Sequence, residues 1–136
     1  MDGSIPELLA PAGHVEGFLA AVENGADAVY AGLKQLSARA SAVNFSLEEL
    51  SLLISFARKH QVRVYVALNS QVAAQEVAQT LDILQALSDL QVDALIVQDP
   101  GLFVLARQRF PGLKLHASTL MTAHNHAGVN QLARMG

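Results

Sequence analysis

The chain contains no cysteine and no tryptophan. Without cysteine, this segment cannot form disulfides, a thiolate nucleophile, or a cysteine-held zinc or iron–sulfur centre. Charge is also scarce: Asp, Glu, Lys and Arg make up 15% of the residues, against about 25% in ordinary globular chains. Nine Lys and Arg against twelve Asp and Glu leave a net charge of −3. The basic residues are scattered, so no basic stripe advertises a nucleic-acid surface. No run of about 18 apolar residues could span a bilayer, and Met1 to Glu7 lacks the basic start and apolar stretch of a signal peptide. The expectation is a cytoplasmic protein with no membrane association.

What is present is a chain of 136 residues, 51% of them hydrophobic. That suffices for the core of a single α/β domain spanning 1–136. Short apolar runs alternate with amphipathic stretches, the pattern of repeated βα units around a parallel sheet. Five strands are expected: Glu7 to Ala12, Asp27 to Ala31, Val62 to Asn69, Ala94 to Gln98 and Leu113 to Ser118. The first helix carries Val15, Leu19 and Val22 on one face and stops at Asn24-Gly25. Ser46 and Glu49 have capping-box spacing at the start of a second helix that buries Leu50, Leu53, Ile54 and Ala57. The third helix shows Val77, Leu81, Leu84 and Leu87 at helical spacing. Asp99 caps a fourth that opens on Pro100, and a fifth begins near Asn125.

Within the third strand Val62, Val64, Val66 and Leu68 face one way, and Arg63, Tyr65, Ala67 and Asn69 the other. The first set suits a helix-covered face; the second is mixed. Gly25-Ala26-Asp27-Ala28-Val29-Tyr30 and Gln91-Val92-Asp93-Ala94-Leu95-Ile96 form a weak internal echo of the kind repeated βα units produce.

Two architectures accommodate five units, an open doubly wound parallel sheet or a (β/α) barrel lacking its last three. At roughly 27 residues per unit, eight would need about 220, inside the range for such barrels. Ligands bind at the C-terminal strand ends in either case. The candidates there are Pro11, Ala12, Gly13 and His14, then Gly32, Asn69, Gln98 and Asp99, and His116, Ser118 and Thr119, with Ser37, Arg39, Ser41 and Asn44 in the long loop after strand two. His116 and Ser118 lie two apart and point the same way, an imidazole beside a hydroxyl. Asp99 is explained equally by capping, and Glu7 is a candidate partner for Arg63 or Lys114 at the bottom of the sheet. His124 and His126 are better read as loop and cap residues than as metal ligands, and no metal site is expected. Serine-hydrolase elbow, zinc-protease helix, Walker and dinucleotide motifs are all absent.

Seven ordered runs carry a family resemblance: Glu7 to Gly13, Gly25 to Gly32, Ser37 to Ala40, Asn44 to Ser46, Val64 to Asn69, Asp93 to Gly101 and Leu115 to Thr119. Together they resemble the N-terminal region of the collagenase-like peptidase family, peptidases of unknown catalytic type. The resemblance implies a TIM-barrel-like catalytic domain with five of eight units present. It covers proteins described as collagenases or proteases, and others that hydroxylate transfer RNA, ribosomal RNA or the ubiquinone ring. Shared family residues fall at Glu7, Pro11, Gly13, Asp27, Tyr30, Arg39, Asn44, Asn69, Gln98, Asp99, His116 and Ser118. Departures fall at His14, Val43 and Leu120.

The resemblance thus implies an N-terminal fragment whose parent hydroxylates an RNA base, using an iron–sulfur cluster held by downstream cysteines. His116, Ser118 and Asn69 are then the candidate catalytic residues, and Arg39, Asn44, Gln98, Asp99, Gly13 and Tyr30 the candidate substrate-binding ones. This chain alone would be inactive and would hold no cofactor. The alternatives are peptide hydrolysis, with Ser118 and His116 supplying the nucleophile, and a non-catalytic binding or scaffold subunit. An incomplete barrel leaves two strand edges open, which favours homo-oligomers or association with a partner.

Overall fold

In the computed structural model, which describes residues 5–34 and 44–136, five parallel strands alternate with five helices. The strands are β1 (Leu9–Ala12), β2 (Ala28–Gly32), β3 (Arg63–Leu68), β4 (Ala94–Val97) and β5 (Leu115–Ala117). The helices are α1 (Val15–Glu23), α2 (Leu47–Lys59), α3 (Val77–Asp89), α4 (Pro100–Arg109) and α5 (His126–Met135), with single 3₁₀ turns at Ala74–Glu76 and Thr119–Met121.

The strands pair in sequence order, β1-β2-β3-β4-β5, and all in parallel. Parallel crossovers are right-handed, so a sheet that always steps in one direction receives its helices on one face. The core agrees with this. Phe18 and Val22 of α1, Leu50, Leu53, Ile54 and Ala57 of α2, Leu84 and Leu87 of α3 and Leu102, Phe103 and Ala106 of α4 share one cluster with Val29, Val64, Val66, Leu68, Leu95 and Val97. The other face holds a separate small cluster of Ala28, Tyr65, Ala94 and Ile96, with no helical residue among the described ones. β1 and β5 do not pair, so the sheet is open, as in the open-sheet alternative, while its one-way winding is that of a barrel.

Local chemistry fixes the elements. The Ser46–Glu49 capping box forms as the spacing requires: the Glu49 N–H donates to Ser46 Oγ at 3.2 Å and the Ser46 N–H to Glu49 Oε2 at 2.8 Å. Asn125 caps α5 by accepting from the Gly128 N–H at 2.9 Å. Several strands start later than their apolar runs. Val62 belongs to the stop signal of α2, its N–H donating to the Ala57 carbonyl, and Leu113 is tied into a turn with Phe110. Among the described residues no helix is long and apolar enough to cross a membrane.

Candidate functional site

Strand register arranges the helix-free face in layers. Nearest the N-terminal strand ends lie Leu9, Ala28 and Arg63, then Pro11, Tyr30, Tyr65 and Ala94, then Gly32, Ala67, Ile96 and His116. The ladder runs one residue past the strands: the Gln98 N–H donates to the Leu68 carbonyl at 3.4 Å and the Ser118 N–H to the Val97 carbonyl at 2.9 Å. Asn69, Gln98 and Ser118 therefore form a fourth layer at the C-terminal rim, on the same face as His116.

The lower part of this face is a closed polar knot. Arg63 pairs with Glu7, the partner anticipated from sequence, and the Tyr65 hydroxyl donates to Glu7 Oε1 at 2.8 Å and Oε2 at 3.1 Å. Burial, reinforced by the bond to Glu7, raises the Tyr65 pKa above the usual phenol value. The ring is thereby held as a neutral donor. Its other neighbour is His116, whose imidazole meets it edge to face with centroids 5.1 Å apart. His116 is exposed, and no side-chain hydrogen bond joins it to Ser118 among the described residues.

Asn44 reaches the same face by a different route. Residues Leu33 and Phe45 form a parallel bridge, with the Phe45 N–H donating to the Gly32 carbonyl at 3.0 Å and Phe45 packed edge to face on Phe18. That anchors Asn44, which is 8% exposed. A Cβ on Gly32 would lie 2.6 Å from Asn44 Oδ1, so the amide occupies the place a side chain at position 32 would take. In the sequence Gly32 reads as a strand terminator and a strand-end candidate, with no sign of its contact with Asn44. Its second role depends on a chain segment twelve residues away.

The remaining candidates divide. Tyr30 lies on the helix-free face and is 37% exposed, in register with Pro11 and Tyr65. Gly13 sits in the exposed bend between β1 and α1. Ser118 is 6% exposed, and its Oγ accepts from the Leu120 N–H at 3.1 Å, capping a 3₁₀ turn. Asn69 Oδ1 is buried with no hydrogen-bond partner. Asp99 points to the helix side, where Oδ1 accepts from Leu102 N–H at 2.9 Å and Oδ2 from Val72 N–H at 3.1 Å. Burial opposes its ionisation, but these bonds and one from Gly101 outweigh it and hold the carboxyl below its usual pKa. It borders a cavity of about 100 Å³ between α3 and α4, away from the other candidates. Arg39 lies outside the described residues.

His14 was missed as a structural residue. It is the N-cap of α1, its Nδ1 accepting from the Gly17 N–H at 3.0 Å. No sequence rule ranks histidine among preferred caps. Above the Glu7–Arg63 knot, the described residues of the face are amides, a hydroxyl and rings, and Lys34 beyond the end of β2 is paired with Glu49. Such a surface recognises a flat, neutral polar group by stacking and hydrogen bonding. Among the described residues no group of three or more His, Asp or Glu gathers to hold a metal.

Comparison with known proteins agrees with this architecture. The chain is similar to tRNA hydroxylation protein P1 of Bacillus subtilis, 37% identical over 91% of this chain and 29% of that protein. It is also similar to the uncharacterized protease MJ0090 of Methanocaldococcus jannaschii, 40% identical over 88% of this chain and 29% of that one. The chain thus spans less than a third of the length of these relatives. Among solved structures, the U32 peptidase Mk0906 superposes with a TM-score of 0.78 at 16% identity, covering all of this chain and 57% of that one. The family model for peptidase family U32 matches residues 13–136, and the chain belongs to that family.

Proposed function

We propose that this chain is part of a protein that hydroxylates an RNA base, and that its helix-free face supplies the wall against which the base lies. The observation that carries this reading is the neutral surface at the C-terminal strand ends: Asn44, Asn69 and Gln98 amides around Ala67, with the Tyr30, Tyr65 and His116 rings beneath and beside them. A base offers what such a surface can use, a π face and an edge of N–H and C=O groups. The similarity to a tRNA hydroxylation protein points the same way.

Hydroxylation of a ring carbon is an oxidation and needs a redox group. An iron–sulfur cluster, which the family resemblance implies, finds no thiolate in a chain without cysteine. Its ligands would have to lie in the parent protein outside this chain, and the residues here are assigned binding and orientation only. His116, with a ring held by Tyr65 and open to solvent, is the group on this face suited to hold or move a proton.

Peptide hydrolysis, suggested by the similarity to a protease, has less support in the geometry. Ser118 is buried and its oxygen is engaged by the Leu120 N–H, without the bond to His116 that an activated nucleophile uses. The deciding experiment deletes the full-length gene and compares RNA nucleosides by mass spectrometry. Loss of a hydroxylated nucleoside, restored by complementation, is expected; unchanged RNA with lost cleavage of gelatin or peptide libraries would favour the protease reading.

A further inference from the structure

We propose that Asn69 is the residue that reads the bound heterocycle, its Oδ1 accepting a hydrogen bond from an N–H on the edge of the ring. The inference rests on the base-binding reading above and assigns the contact within it. The first observation is energetic. Asn69 Oδ1 is removed from solvent and meets no donor, although nearly every buried acceptor in a folded protein has one and an unmet acceptor is destabilising. Evolved interiors tolerate such a group where it is used.

The second observation is placement. Asn69 stands one residue beyond β3, in the rim layer with Gln98 and Ser118. Its neighbour in that layer is Gln98, with Ser118 one strand further on, and neither donates to it. One layer below on the same strand is Ala67, a small side chain in register with Gly32, against which Asn44 packs, on one side and with Ile96 and then His116 on the other. A flat ring over Ala67 therefore has Asn69 at its edge on the rim side, His116 beside it in the same layer and Tyr65 in the layer below.

The third observation is charge. The residues named in these two layers carry no fixed charge, and the charged groups at their borders are already paired, Lys34 beyond the end of β2 with Glu49 and Arg63 with Glu7 beneath Tyr65. An amide facing a neutral donor discriminates sharply, because a ligand lacking that N–H leaves the buried oxygen unmet. The ligand class is a heterocycle with an imide or amino N–H, as in uracil or cytosine rings.

The test uses the 136-residue chain with nuclear magnetic resonance titrations of uridine, 3-methyluridine, cytidine and N-acetylalanine methylamide. Uridine and cytidine are expected to shift the Asn69 side-chain amide. Methylation of the ring N–H should weaken uridine binding at least tenfold, and so should Asn69→Leu, which replaces the oxygen with an apolar group of similar volume. Asn69→Asp retains an acceptor and should keep the preference for uridine over 3-methyluridine. Asn69→Leu should melt no lower than the parent chain, because it removes an unmet polar atom. Uridine bound equally by the Leu variant, or a lowered melting temperature of that variant with binding intact, overturns the assignment and leaves the hydroxylase reading standing. Binding of the methylamide in place of either nucleoside, lost in the Leu variant, would instead sink the base reading while Asn69 kept its role as acceptor. No binding of any probe overturns both.

Discussion

At Gly32 a single missing carbon decides where Asn44 lies. An added Cβ would come within 2.6 Å of the Asn44 oxygen, closer than unbonded atoms tolerate, and Asn44 is itself buried beside the Leu33–Phe45 bridge. Gly32→Ala should therefore cost about 1 to 3 kcal/mol, as overpacking does, and urea denaturation measures it. A variant as stable as the parent would show that Asn44 moves aside freely. Asp99 poses a different question. Its carboxylate is favoured in the folded chain, with a pKa below the unfolded value near 4. Its contribution is thus fully present above about pH 4 and is lost as pH falls through the folded pKa. Asp99→Ala should cost about 1 to 2 kcal/mol at neutral pH. The difference should shrink as pH falls below about 4 and on through the folded pKa, which urea midpoints followed from pH 7 into acid would reveal.

Three helices end in the same way, and the sequence disguises it. After α1, α2 and α3 the chain turns through a left-handed residue: Gly25 (φ 88), Gln61 (φ 60) and Gln91 (φ 55). In each case its N–H and the next one return to the helix, to Val22 and Ala21, to Arg58 and Ala57, and to Ser88 and Leu87. Only the first carries the expected glycine. Replacing Gln61 or Gln91 with glycine should stabilise by about 0.5 to 1 kcal/mol, since a non-glycine residue there is strained; a fall in melting temperature for either variant would contradict this. The internal echo also has a cause. Asp27 Oδ2 accepts from the Leu8 N–H and Asp93 Oδ2 from the Val64 N–H, both at 2.7 Å, extending the ladder one residue before each strand pair. Periodicity and caps made α2, the Asp99 cap and the two faces of β3 legible from sequence. The cap by His14, the Asn44–Gly32 approach and the burial of Ser118 were not, because each depends on where a neighbouring turn or a second segment comes to rest.

Over the whole molecule, the asymmetry between the two faces of the sheet is the dominant feature. One face is covered by helices, while the other leaves Leu9 40% and Tyr30 37% exposed, and among the described residues the outer edges of β1 and β5 pair with no further strand. Parallel sheets are normally covered on both faces. We expect this chain to self-associate in solution, with apparent mass rising with concentration in light scattering; a strict monomer across a hundredfold range would contradict that. In the parent, the same face would be the interior of a completed barrel, where the candidate residues converge. The most direct test of that claim is the content of hydroxylated nucleosides in RNA from a deletion strain complemented with the full-length gene carrying His116→Ala, on the helix-free face, or Glu48→Ala, exposed on α2. The account predicts at least a tenfold loss for His116→Ala and a wild-type level for Glu48→Ala, with both proteins equally abundant. Wild-type hydroxylation with His116→Ala would contradict it.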